Sequence, residues 1–188
     1  MVLFVSALAG EIQGVDPLIT GVGKVNAAMT LTRYLADNPK TPAVVNLGSA
    51  GGVGVATGSL VQVSTFHQWD MRCEGLEFRR GQTPFDNVPS HLHATHAVAL
   101  DGLIEAPAYT SDQFLDDPHL LPPGPCVVEM EAFALAKVCR VFEVPFAAIK
   151  YVTDAADGEA GEDWQEELPN CAEALSQIAD MLNAHEHG

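Results

Sequence analysis

VVEMEAFALAKVCRVFEVPFAAIKYVTDAAD, residues 127–157, carries two periodicities back to back. From Glu129 to Phe142 the apolar residues Met130, Phe133, Ala134, Val138 and Val141 recur at helical spacing. From Pro145 to Val152 nearly every residue is apolar, as in a strand buried on both faces, and the run ends at Thr153-Asp154. The same alternation continues outward. Val2 to Ser6 reads as a short buried strand, and a second near Leu18 to Thr20 enters the turn Gly21-Val22-Gly23. A helix follows from Lys24 with Val25, Ala28, Met29 and Leu35 on one face, until Asn38-Pro39 stops it. Ala43 to Leu47 is another strand, breaking into Gly48-Ser49-Ala50-Gly51-Gly52, and Leu60 to Ser64 is a further one. Glu166 to Asn183 closes the chain as an amphipathic helix carrying Leu168, Leu175, Ile178 and Leu182. Between Thr65 and Pro125 the pattern weakens under many Pro, Gly and His residues. Alternating strands and helices predict an α/β fold with a mostly parallel sheet between helices. No repeat or low-complexity linker interrupts it, so residues 1–188 are read as one domain.

The composition excludes several function classes. The 188 residues hold 9 Lys+Arg against 25 Asp+Glu, a net charge of −16. Neutralising phosphates needs clustered Lys and Arg, so neither nucleic acid nor an anionic membrane surface is an expected partner. No apolar run approaches the ~18 residues that span a bilayer, and the start MVLFVSALAGE lacks the basic region of a signal peptide. Cys73, Cys126, Cys139 and Cys171 are scattered without metal-ligand spacing, which fits a reduced, cytoplasmic protein.

In α/β sheets ligands gather where strand ends meet glycine-rich loops, which singles out Glu11, Ser49 to Gly51 and Asp154. Asp154 after a buried strand suits a proton donor with a raised pKa and suits a helix N-cap equally well. Glu129 and Glu131 flank Met130 at a helix start, where carboxylates favour the macrodipole, and at most one of them is expected to face a given ligand. A carboxylate turned to a polyol accepts two hydroxyl hydrogen bonds. Gly21-Val22-Gly23-Lys24 is no Walker loop, because Leu18 and Val25 stand where Gly and Ser or Thr are required. His91, His93 and His96 lack a completing carboxylate and read as solvated loop histidines rather than a metal site, as do His185 and His187. Asp157, Glu159, Glu162 and Asp163 read as a solvated acidic face.

Taken in order, TGVGKVNAAMTL (20–31), VVNLGSAGGV (44–53), TSDQFL (110–115), VVEMEAFALAKVC (127–139) and VPFAAIKYVTDAAD (144–157) resemble the purine nucleoside phosphorylase/nucleosidase superfamily. The methylthioadenosine/S-adenosylhomocysteine nucleosidase branch is the best match. The resemblance implies a three-layer fold whose central mixed sheet is flanked by helices. It also implies cleavage of the N-glycosidic bond of a purine nucleoside, without metal or organic cofactor. By motif, Asp154 resembles the acid that serves purine N7, and Glu11 the glutamate that activates water. Glu131 resembles the carboxylate holding the ribose hydroxyls, with Met130 and Glu129 beside it. Phe114 resembles the aromatic stacked on the base, Leu115 the residue whose backbone reads the base edge, and Ser49 and Gly51 line the site. A homo-oligomer, with a dimer favoured, is implied as well.

Hydrolysis is expected over phosphorolysis. The superfamily's phosphorylases clamp phosphate with arginines, one of them shortly before the GS of the glycine cluster. Asn46 stands there, and no arginine occurs through Gly23. A buried dianion without a cationic partner is costly. Lys150 replaces an arginine common just before the acid and keeps its charge, and the stretch from Glu11 to Gly21 is shorter than in a typical nucleosidase. Trp164 is placed either to cap the pocket or as an ordinary exposed or core tryptophan. The expected substrate is a 5′-modified adenosine, the alternatives being a futalosine- or queuosine-type nucleoside or a non-catalytic nucleoside-binding role.

Overall fold

A computed structural model describes residues 2–185 apart from 97, 99 and 116; His187 lies outside the described residues. Strand β1 (Leu3–Ser6) leads through a single 3-10 turn (Ala9–Glu11) to β2 (Leu18–Ile19) and helix α1 (Lys24–Asp37). Then come β3 (Val44–Val53), β4 (Leu60–Gln68), β5 (His91–His93) and β6 (Ile104–Thr110). The chain ends with β7 (Cys126–Glu129), α2 (Ala132–Phe142), β8 (Phe146–Asp154) and α3 (Ala160–His185).

All eight strands join one mixed sheet. β1 lies parallel to β2 and β3, and β3 is parallel to β8 from Val44 to Gly51. Most pairings are parallel, as the alternation of elements suggested, and β3–β7, β4–β5 and β4–β8 are antiparallel, which makes the sheet mixed as the resemblance implied. With the parallel pairs β4–β6 and β6–β7, strands β3, β8, β4, β6 and β7 close into a ring. The five strands of the ring have no open edge, while β2 and β5 remain at the edges of the sheet.

The sheet is covered on both faces. Even-numbered Phe146, Ala148 and Val152 of β8 pack with Leu31 and Leu35 of α1 and Phe133 and Leu135 of α2. Odd-numbered Ala147, Ile149 and Tyr151 pack with Cys171, Leu175 and Ile178 of α3. A period of two along a strand with apolar residues on both faces is what a central strand requires.

Four local expectations are corrected. The glycine cluster is no turn: β3 runs through it to Val53, because Gly51 and Gly52 are paired to Val128 and Val127 of β7. The segment at Glu129 is the end of a strand, and its helix begins only at Ala132, since Glu129 pairs with Thr110 in the sheet. His91 and His93 lie on an edge strand beside β4 rather than in a loop, with the His67 ring stacked on His91 at 5.2 Å and on Tyr109 at 4.8 Å. Burial, then the nearby His91 and His93, lowers His67 to about 4, so it is neutral. α3 also begins earlier than Glu166, and Glu162 and Asp163 occupy its first turn, where the helix dipole favours acids.

Candidate active site

Where β1, β3, β7 and β8 end, a cavity of about 250 Å³ opens, lined by residues from seven separate parts of the chain. Every position singled out in the sequence reaches it: Glu11, Ser49, Gly51, Phe114, Leu115, Glu129, Met130, Glu131 and Asp154. Trp164 from α3 lines it too.

Glu11 ends the 3-10 turn after β1 and is buried. Its Oε1 accepts from the Ser49 N–H (2.9 Å) and hydroxyl (2.7 Å). Its Oε2 accepts from the Ser6 hydroxyl (2.8 Å) and the Leu8 N–H (3.1 Å). Four donors fix both oxygens of an otherwise costly buried carboxylate.

Asp154, the last residue of β8, is buried. It accepts from the Thr153 hydroxyl (2.8 Å) and from the Ala156 N–H (2.9 Å), in a turn where Ala156 adopts φ 52°. Burial raises its pKa, opposed by those two hydrogen bonds and assisted by Asp163 and Asp157. It is therefore the last residue of a strand and no helix N-cap. Gly51 of β3 makes room for it: a Cβ there would stand 2.6 Å from Asp154 Oδ1. That close approach, rather than any turn, explains the glycine.

Glu131 stands at the N-cap of α2, where its Oε1 accepts from the Gly23 N–H at 2.8 Å. Gly23, at φ 90°, can turn that N–H inward because it lacks a side chain. Burial raises Glu131 to about 7, the neighbouring Glu129 adds to the rise, and Lys150 and the Gly23 N–H oppose it.

Glu129 borders the cavity with a different set of bonds. Its Oε2 accepts from the N–H groups of Glu131 (2.9 Å) and Ala132 (2.7 Å) and pairs with Lys150 Nζ at 3.2 Å. Its Oε1 accepts from the Thr110 hydroxyl, which in turn accepts from the Phe133 N–H at 3.0 Å. Both oxygens thus bind protein donors, and Glu129 caps α2 from the end of β7.

Lys150 is the buried cation of the site, 1% exposed in the middle of β8. Burial alone would lower its pKa, but Glu129, Glu131 and Glu11 outweigh it and raise the ammonium above the ordinary lysine value. Its part as common counter-ion was missed in the sequence, although one lysine inside FAAIKYVTD is a legible signal: a charge on a strand buried on both faces must be paired. Lys24 was also unread. It bridges Asp70 and Asp112, and its N–H donates to Asp112 Oδ1 at 2.8 Å, tying the glycine turn to the loop that carries Phe114 and Leu115.

Phe114 is 56% exposed at the cavity mouth, available to stack on a planar ligand. Among the described residues, none that lines the cavity is arginine, lysine or histidine. Among the described residues no group of three or more His, Cys, Asp or Glu could hold a metal ion. The arrangement offers a carboxyl of raised pKa, a second carboxyl held by four donors, and a third able to receive hydroxyl groups.

Fold and site together define an α/β small-molecule enzyme, and comparison with known proteins says of which kind. The model of the phosphorylase superfamily matches residues 5–117 and 121–183, and the chain belongs to that superfamily. It is 32% identical over 190 residues to a 5′-methylthioadenosine/S-adenosylhomocysteine nucleosidase of Geobacillus kaustophilus, covering 90% of this chain and 80% of that one. To the nucleosidase of the same name from Actinobacillus succinogenes it is 33% identical over 202 residues, with 92% and 84% covered. In fold it matches the Neisseria meningitidis nucleosidase of that name in complex with methylthio-immucillin-A, at TM-score 0.79 and 22% identity over 95% of this chain and 96% of that one. A futalosine hydrolase mutant of Helicobacter pylori matches at TM-score 0.86 and 19% identity, with 98% of each chain covered.

Proposed function

We propose that this protein hydrolyses the N-glycosidic bond of a purine nucleoside, with 5′-methylthioadenosine or S-adenosylhomocysteine as substrate. The observation that carries this reading is the meeting, in one cavity, of Asp154, whose pKa burial raises, and a Glu11 held by four donors, with no cationic side chain lining that cavity among the described residues. Homology to the two bacterial nucleosidases at 32% and 33% identity supports the substrate class.

In this reading Asp154 gives its proton to N7 as the bond from ribose C1′ to N9 breaks, so the base leaves neutral. Glu11 takes a proton from water, whose oxygen bonds to C1′ as the ribosyl cation character develops. Glu131 holds the ribose hydroxyls, with Met130 beneath the sugar. Phe114 stacks on the base, and the Leu115 backbone meets its edge. Ser49 steadies Glu11, Gly51 admits the Asp154 carboxyl, and Glu129 supports Glu131 from behind. Among the described residues a phosphate dianion has no positive partner on the cavity wall, which supports water as the nucleophile.

The unit is taken to be the whole chain, 1–188, as one domain in the cytoplasm, with a second copy as its partner. No described helix is long and apolar enough to cross a membrane, and the four cysteines are free. Self-association is supported by the outer faces of α1 and α2, where Val25 is 74%, Met29 63% and Val141 73% exposed.

The test is free-base release from methylthioadenosine, S-adenosylhomocysteine, futalosine, queuosine and inosine, with and without phosphate. Adenine release from the first two, at the same rate in either buffer, is expected. A rate that vanishes without phosphate overturns hydrolysis, and release from futalosine alone overturns the substrate.

A further inference from the structure

Trp164 donates its indole N–H to the Ser49 hydroxyl across 3.0 Å, bridging α3 to β3 at the cavity wall. An indole nitrogen only donates, so the Ser49 oxygen must accept this bond. That hydroxyl has a single proton, and its other close partner is Glu11 Oε1 at 2.7 Å. The two bonds together leave the rotor one arrangement: indole to hydroxyl to carboxylate. Without the indole, the Ser49 oxygen would face the open cavity, and its proton would be free to turn towards solvent.

We propose that Trp164 is a positioning residue for the hydrolytic step, its N–H orienting the Ser49 hydroxyl towards Glu11. The proposal rests on the reading of Glu11 as the base that takes the water proton. Trp164 acts through Ser49 and does not touch the reacting atoms. Glu11 keeps its bonds from the Ser49 N–H, Ser6 and Leu8 whatever Trp164 does, so the indole refines the aim of a carboxylate already in place.

The chain's course gives this bond a further consequence. Trp164 follows Asp154 by ten residues, through the turn at Ala156 and the first turn of α3. One segment therefore carries the proposed acid on β8 and, through Ser49, steadies the proposed base. A phenylalanine would supply the same aromatic wall but no proton, so the feature belongs to tryptophan.

The experiment is steady-state adenine release from methylthioadenosine by the full chain and by W164F, S49A, W164F/S49A and E11Q. Loss of one neutral hydrogen bond predicts that W164F lowers kcat roughly 3- to 10-fold while KM stays within about twofold. S49A should lower kcat further, and the double variant should match S49A, because the indole then has nothing to act through. A wild-type kcat in W164F overturns the proposal. So does a loss carried by KM, or W164F and S49A losses that multiply. E11Q separates the two readings. If it turns over at the wild-type rate, the base assignment fails; if it is inactive while W164F is unaffected, only the role of Trp164 fails.

Discussion

Asp154 and Glu131 are acids that the surrounding protein keeps from ionising as readily as they would in water. For Asp154 the cause is burial behind β3, in a space that exists because residue 51 has no side chain. As the proposed proton donor, Asp154→Asn should lower kcat by about 10²- to 10⁴-fold while the protein still folds, checked by base release beside a thermal melt. For Glu131 the cause is burial first and the charge of Glu129 second, bringing it to about 7 from the ordinary 4.5. A carboxyl raised in the folded state holds its proton more tightly there than in the unfolded chain. Its stabilising contribution is therefore full below the unfolded value and is lost as pH rises through about 7. The thermal midpoint of the ligand-free protein should fall between about pH 5 and pH 7.5, and Glu131→Gln should flatten that slope.

Strand β8 brings two kinds of residue to the site by one register. Its period of two puts Phe146, Ala148, Lys150 and Val152 on the face towards α1 and α2, so the lysine meets Glu129 at the end of β7. Removing one partner of a buried pair leaves the other charge uncompensated. Lys150→Met should thus cost about 3–5 kcal/mol of stability, measured by denaturant unfolding. Adding Glu129→Gln should restore part of that loss, since the orphaned charge goes with it. Strand β3 shows the limit of reading elements from sequence. Its glycines carry the ordinary mark of a turn, and only the partners on both sides, β7 and β8, hold them extended. The same holds at Glu129, where helical spacing extends back over a residue that the sheet claims.

At the scale of the whole molecule, α1 and α2 cover one face of the sheet yet leave an apolar outer surface, with Val25, Met29 and Val141 exposed. As the proposed seat of a second copy, this surface should fail when charged. Val141→Glu with Met29→Glu should shift the protein from dimer to monomer in analytical ultracentrifugation, and an unchanged mass would remove the assignment.

The class of fold, the order of most elements and the residues that meet at the cavity were legible from the amino-acid order alone. Strong apolar periodicity marks buried strands and helix faces locally, and the ordered motifs from residue 20 to residue 157 name the superfamily. How those residues bond to one another came only with the folded chain. The strand partners that close the sheet into a ring, the strand placement of His91 and His93, the seat of Lys150 among three carboxylates and the bond from Trp164 to Ser49 join positions far apart in the chain. Spacing along a sequence carries no record of such neighbours. Hydrogen bonds and buried charges depend on distances in space, and those are set only when the two faces of the sheet are packed.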